Sequence, residues 1–225
     1  MKKWLIGFMA IVGIGAAALS AQASIFDKPL YDTGKPVADR PMAFVDFKEL
    51  AGAHPAPDLA FKGLDGKTHK LSDFRGNLLI VDMWATWCSP CQRTIPLILD
   101  LQKSLKKDKA AKVKFVSVSV DETEEDVRDF IEDNHLQAYD TWLDPKKTIL
   151  QVIPSDVVPT AFFFDGRGNL VGFVRGYVDW TGMGVEDFLK RLGDKYADPS
   201  GIKPRVKPPV LVTMLEVVVR VKYPK

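Results

Sequence analysis

Cysteine is scarce in this chain. Among 225 residues there are two, Cys88 and Cys91, which rules out a small scaffold held by several disulfides. Histidine is nearly as rare. His54, His69 and His135 are scattered, so no cluster completes the four ligands of a structural zinc site, and they read as surface or loop residues. Neither sign of charge dominates: 31 Lys and Arg stand against 29 Asp and Glu. That balance speaks against a general nucleic-acid-binding surface. No internal repeat is present. What is there is a globular composition, 46% hydrophobic and 27% charged, unlike a disordered or multi-span membrane chain. A folded region of about 150 residues buries roughly 68–70% of its unfolded surface, so the core needs no covalent staple.

The first 23 residues read as a targeting segment. Met1-Lys2-Lys3 is a short positive start, Trp4 to Leu19 is apolar, and Ser20-Ala21-Gln22-Ala23 supplies a small-x-small cleavage site before Ser24. The competing reading is an uncleaved anchor helix, for which the apolar stretch is rather short. No cysteine follows that stretch to carry a lipid. Cleavage removes Lys2 and Lys3 and no acid, leaving 29 basic and 29 acidic residues. The mature chain is therefore expected to be neutral, periplasmic, and in a redox-controlled compartment.

The remainder divides into an arm, a core and a tail. Residues 24–57 hold Pro29, Pro36, Pro41, Pro55 and Pro57 and read as an irregular arm with a short helix near Pro41–Leu50. Leu59–Phe61 and Thr68–Leu71 flank the turn cluster Gly63-Leu64-Asp65-Gly66-Lys67, a hairpin signal. Asn77–Trp84 is a continuous apolar run with one acid, the pattern of a fully buried strand. Ser89–Lys107 has helical periodicity with Pro96 inside it, where a kink is expected. Lys112–Val120 alternates as a strand, and Thr123–Asn134 is a capped helix. Pro145–Val152 reads as a shorter helix. Thr160–Phe164 and Leu170–Arg175 form a second hairpin, and Gly184–Tyr196 is the last helix. The order predicts an α/β sheet covered by helices. The core domain is expected over residues 58–196.

Trp87-Cys88-Ser89-Pro90-Cys91 lies where the buried strand ends and the first helix begins. A disulfide across two intervening residues closes almost no loop, so it constrains the unfolded chain little. The spacing suits chemistry better. Helix N-terminal N–H groups and the macrodipole favour an anion, so the Cys88 thiol is expected below its usual pKa. A thiolate attacks disulfide sulfur. Cys91, one turn on, is placed to resolve the mixed disulfide, and Pro90 stiffens the turn. A c-type haem site would need His after the second Cys, and position 92 is Gln.

Leu79-Ile80-Val81-Asp82-Met83-Trp84-Ala85-Thr86-Trp87-Cys88-Ser89-Pro90-Cys91 resembles the active-site segment of the thioredoxin superfamily. The preceding hairpin, Leu71-Ser72-Asp73-Phe74-Arg75-Gly76 and the signal segment make it most similar to TlpA/ResA-type extracytoplasmic thiol–disulfide oxidoreductases. The resemblance covers about residues 55–195. Pro96 falls where that family kinks its helix, and Val158-Pro159-Thr160 matches its cis-proline segment. It implies a thioredoxin-like α/β fold: a central mixed sheet flanked by helices, with an N-terminal hairpin extension. It implies a redox-active Cys88–Cys91 disulfide and no cofactor or metal. It also implies a substrate surface of Trp87, Pro90, Val158 and cis Pro159, where the Val158 backbone pairs with an extended substrate strand. Trp84 is expected chiefly to pack.

Asp82 sits inside the apolar run, six residues before Cys88. Buried without a cation, its pKa should rise. The resemblance to thioredoxin assigns it proton transfer to and from Cys91, while the alternative is a carboxylate that merely hydrogen-bonds the strand end. Many TlpA/ResA-like proteins carry Glu three residues after the second Cys; here that position is Thr94.

The resemblance implies a protein-disulfide reductase with protein disulfides as substrates and a membrane thiol transporter as electron donor. Cytochrome c maturation is one process such proteins serve. Ser-Pro between the cysteines is closer to the dipeptides of reductants than of strong oxidants. Oxidase or isomerase activity stands as the alternative, with a non-enzymatic copper-delivery protein as the other class. That class uses C-x-x-x-C and a distant His. A thiol peroxidase needs Pro-x-x-x-Thr-x-x-Cys, and Trp84-Ala85-Thr86-Trp87 precedes Cys88 instead.

Residues 197–225 form a Pro-rich basic linker and a β-prone end, Val210–Val221. That end must pair with its own sheet edge, a second copy or a partner, since left exposed it invites aggregation. Self-association through the tail is one expectation.

Overall fold

The structure is a computed structural model that describes residues 29–201 except 109, 153, 154 and 156. The targeting segment, the first residues of the arm and the tail from residue 202 lie outside the described residues. Nine strands and three helices follow in chain order among the described residues: β1 (Tyr31–Asp32), β2 (Lys48–His54), β3 (Ala60–Gly63), β4 (Thr68–Lys70), β5 (Leu78–Trp84), α1 (Ser89–Lys107), β6 (Val113–Ser119), α2 (Glu124–Asp133), β7 (Thr141–Leu143), β8 (Thr160–Phe164), β9 (Leu170–Arg175) and α3 (Val185–Tyr196).

They form one mixed sheet in the order β1-β2-β9-β8-β5-β6-β7-β3-β4. β5 lies near its middle, parallel to β6 and antiparallel to β8. All seven of its residues are buried, which is why it reads as an unbroken apolar run rather than an alternating one. The β5-α1-β6 crossover supplies the parallel pairing, which a tight turn cannot. Thr123 caps α2: its side chain accepts the Asp126 N–H at 3.1 Å, an N-cap bond that satisfies one orphan donor. The β3–β4 hairpin attaches through β3 to β7, and the β8–β9 hairpin continues the sheet on the other side of β5.

The arm is more ordered than its prolines suggest. In place of a helix, a three-residue 3-10 turn at Met42–Phe44 leads into β2, which pairs with β9. Glu49 on β2 accepts bonds from Lys195 Nζ at 2.6 Å, Tyr196 OH at 2.7 Å and the Val37 N–H at 2.9 Å. Tyr31 OH donates to Asp165 at 2.5 Å. Phe44 and Phe47 pack among Phe163 and Phe188. Lys48-Glu49-Leu50-Ala51 has weak intrinsic β preference, so pairing with β9 and these distant partners, rather than local propensity, sets its conformation.

Two further differences arise where contacts outside the local pattern decide. Thr141–Leu143 is a strand that three residues are too few to announce by periodicity. The expected helix at Pro145–Val152 is only a 3-10 turn at Thr148–Gln151. Asp144 captures that turn, accepting the N–H groups of Thr148 and Ile149 at 2.9 and 2.8 Å, while Lys147 ahead of it is left-handed at φ 53°. Both segments are shaped by tertiary pairing and a side-chain cap, not by pattern.

Candidate active site

β5 runs out at Trp84, the chain loops through Ala85–Trp87, and α1 begins at Ser89. Cys88 is the residue that caps α1, in extended conformation, with the Cys91 N–H donating to its sulfur at 3.2 Å. Pro90 occupies the first turn, where a missing N–H costs nothing. Cys88 and Cys91 are joined in a disulfide with their sulfurs 2.06 Å apart. Cys91 is fully buried and Cys88 nearly so. The first turn of α1 contains no acid. On reduction, a negative sulfur at Cys88 therefore meets helix N–H groups and the positive end of the dipole with no nearby carboxylate in that turn to oppose it.

The loop ahead of Cys88 is held by a residue that the sequence did not single out. Asp121, just past β6, accepts the Thr86 N–H at 3.0 Å, the Thr86 hydroxyl at 2.8 Å and the Ser119 hydroxyl at 2.7 Å. Gln92 on α1 donates to the Thr86 carbonyl at 2.6 Å. An Asp after a strand is ordinary turn chemistry in a sequence, and only the fold places Thr86 beside it. The two tryptophans separate: Trp84 is buried and donates Nε1 to Thr141 Oγ1 at 2.8 Å, whereas Trp87 is 67% exposed next to Cys88.

The Val158–Pro159 peptide is cis. Thr160, which follows it, pairs with Met83, so Pro159 lies at the same end of β5 from which the loop to Cys88 departs. The Pro159 carbonyl accepts the N–H of Gly176 at 2.8 Å, and Gly176 takes φ 87°, a conformation that favours glycine. Around this junction Val157 and Tyr177 are exposed, and the Arg93 guanidinium from α1 lies 6.0 Å from the Tyr177 ring centre. Val158 itself is partly buried against the core.

Asp82 projects from β5 with 2% exposure. Burial alone pushes its carboxyl up to about 8, since no cation pairs with it among the described residues. Its Oδ2 has no hydrogen-bond partner among the described residues. Thr94 is buried, and its hydroxyl donates to the Cys91 carbonyl at 2.7 Å. His69 stacks on Trp142 with ring centres 4.5 Å apart, on the hairpin at the far edge of the sheet. The arrangement thus combines a dithiol/disulfide at a helix start, an exposed aromatic beside it, a cis-proline backbone at the same strand end, and a protonatable carboxyl buried in the strand that leads there.

Residues 53–172 match the model of the AhpC/TSA family. Thiol-disulfide oxidoreductase ResA of Geobacillus kaustophilus is 30% identical over 133 residues, which is 59% of this chain and 74% of that protein. Thioredoxin-like protein YneN of Bacillus subtilis is 29% identical over 168 residues, 75% of this chain and 86% of that one. Among solved structures, the exposed lipoprotein thioredoxin Etrx1 of Streptococcus pneumoniae is 25% identical with a TM-score of 0.52, covering 60% of this chain and 99% of that one.

Proposed function

The chain belongs to the AhpC/TSA family, as a ResA-type thiol–disulfide oxidoreductase of the thioredoxin superfamily, and from that premise we propose that it reduces specific protein disulfides outside the cytoplasm. The observation that carries the reading is the Cys88–Cys91 pair at the start of α1. In the reduced protein the Cys88 thiolate attacks one sulfur of a substrate disulfide, forming a mixed disulfide and releasing the other sulfur as a thiolate. Asp82 takes the proton from the Cys91 thiol. The Cys91 sulfur then attacks Cys88, closes the Cys88–Cys91 disulfide and releases the second substrate thiolate. The substrate gains two electrons and the dithiol loses them.

Trp87, Pro90, Val158 and Pro159 form the substrate surface, with the Val158 backbone accepting an extended substrate strand. Support for this comes from the exposure of Trp87 beside Cys88 and from the register that sets Pro159 at the end of β5. A membrane thiol transporter returns electrons to the pair, and the process served is one such as cytochrome c maturation. The apolar segment and the small-x-small pattern within residues 1–23 support export to the periplasm, and Etrx1, an exposed lipoprotein, supports the coarser reading of a place outside the cytoplasm. The reducing direction rests on Ser89-Pro90 between the cysteines.

The test is the equilibrium potential of the Cys88–Cys91 pair against glutathione, read by tryptophan fluorescence. A value near about −270 mV marks an electron donor that a partner must keep reduced. A value near about −120 mV marks a disulfide donor and overturns the reductase assignment in favour of an oxidase.

A further inference from the structure

Among the described residues, three buried side-chain oxygens have no hydrogen-bond partner: Asp82 Oδ2, Ser117 Oγ and Tyr139 OH. All three residues are at most 2% exposed. They belong to one patch. Asp82 and Ser117 are direct register partners across β5 and β6, so their side chains leave the same face of the sheet. Ser117 in turn pairs with Thr141 on β7, whose hydroxyl accepts the Trp84 indole N–H on that face. Tyr139 packs edge-on against Trp84, ring centres 5.3 Å apart. On the other side of Asp82 its register partner is Ala161 of β8, which offers no polar side chain. The Tyr139 phenol responds to this setting: burial raises it most, the charge of Asp82 raises it further, and the Ser117 hydroxyl works the other way.

Buried hydroxyls and carboxyls are hydrogen-bonded in folded proteins, and a polar site with several partners takes up water. A hydroxyl that donates to a carboxylate favours the ionised form. We propose that Ser117 and Tyr139 are positioning residues for Asp82, their hydroxyls and water bound between them forming a pocket that orients the carboxyl and stabilises its anion. The proposal rests on the reading that Asp82 takes the Cys91 proton. It adds the reason the carboxyl can ionise at all in so apolar a place: Cys91 Sγ–H gives its proton to a carboxylate that two hydroxyls have prepared, rather than to one stranded in hydrocarbon.

The experiment uses the full chain with carbon-13-labelled aspartate and the variants Tyr139→Phe, Ser117→Ala and the double variant. Tyr139→Phe removes one oxygen and keeps the ring against Trp84. Two readouts are needed. The Asp82 carboxyl is titrated by NMR in the oxidised protein. The reduced protein is then mixed with an aryl disulfide that releases a coloured thiolate first on attack by Cys88 and again on resolution by Cys91. Each single variant is expected to move the carboxyl midpoint upward, by about one pH unit for Tyr139→Phe. The second colour phase should slow up to about tenfold at pH 7 with the first phase unchanged. A folded double variant whose carboxyl midpoint stays where it is overturns the proposal. Asp82→Asn separates the two readings. If it leaves the second phase untouched, the proton-acceptor role of Asp82 fails, and the carboxyl titration, which involves no turnover, decides the pocket by itself.

Discussion

Asp121 and Thr86 meet through both donors of the threonine: the Asp121 carboxylate accepts the Thr86 N–H at 3.0 Å and its hydroxyl at 2.8 Å. This ties the turn after β6 to the loop that presents Cys88, two segments 35 residues apart in sequence. Hydrogen bonds to a charged acceptor contribute about 1.5–3 kcal/mol each, and their loss leaves the donors unsatisfied. Asp121→Ala is expected to destabilise the oxidised protein by about 2–3 kcal/mol in urea unfolding. It should also slow attack by Cys88, because the loop geometry loosens. Unchanged stability and unchanged attack rate together would show that the loop holds itself.

Trp87 tests the proposed substrate surface without touching the core. An exposed side chain away from packing changes stability by less than about 0.5 kcal/mol when removed. Trp87→Ala should leave the unfolding curve in place while raising KM for a protein disulfide about fivefold, the equivalent of about 1 kcal/mol of lost contact. Reaction with oxidised glutathione, which is too small to lie along the surface, should be unaffected. An equal loss for both oxidants assigns Trp87 to the chemistry of Cys88 instead.

Asp82→Asn separates the two halves of the exchange. In the proposed mechanism, attack by Cys88 needs no proton acceptor in β5, whereas resolution by Cys91 uses Asp82. Loss of a positioned general base costs typically 10²–10⁴-fold in the step it serves. Stopped-flow measurement should show a resolving step slowed by at least about tenfold and an initial attack altered by much less. Equal effects on both steps remove the specific role of Asp82.

What could be read from the sequence follows from how local each cause is. β5, α1, the β8–β9 hairpin and α3 are all set by contiguous pattern: a buried run, a 3.6-residue stripe, a turn cluster. The cysteine pair is legible because spacing and the strand-to-helix boundary sit in one short stretch. Pro159 is legible only through resemblance. β2 and β7 are not legible, since each owes its conformation to a strand far off in sequence. Asp121, Ser117 and Tyr139 are hidden for the same reason. Each is an unremarkable residue locally, and its significance arises where the sheet brings it beside Thr86 or Asp82.

The arm offers a direct check on that point. Phe44 is fully buried and meets Phe47, Phe163, Trp180 and Phe188. Removing a buried phenylalanine side chain costs about 3–5 kcal/mol through lost burial and the cavity left behind. Phe44→Ala should reach that range in chemical denaturation. A loss below about 1 kcal/mol would mean that the arm lies on the core rather than in it.

Asp82 also makes stability depend on pH in a direction that surface carboxylates do not. Burial raises its carboxyl from 3.8 to about 8. In the unfolded chain the group ionises as pH passes 3.8, while in the folded chain it keeps its proton until about pH 8. Across that window the unfolded state has released a proton that the folded state retains, so stability falls as pH rises. The contribution is fully present below pH 4 and lost by pH 8, with a slope of at most about 1.4 kcal/mol per pH unit. At pH 7 the penalty is on the order of 4 kcal/mol. Asp82→Asn has no proton to lose. Its stability minus that of the parent, both with the disulfide intact, should grow steadily from pH 4 to pH 8 and then level off. Urea titrations at four or five pH values across the window are sufficient. A difference that stays constant with pH means that the Asp82 carboxyl ionises in the folded protein as readily as in the unfolded chain, and that the buried strand position does not protect its proton.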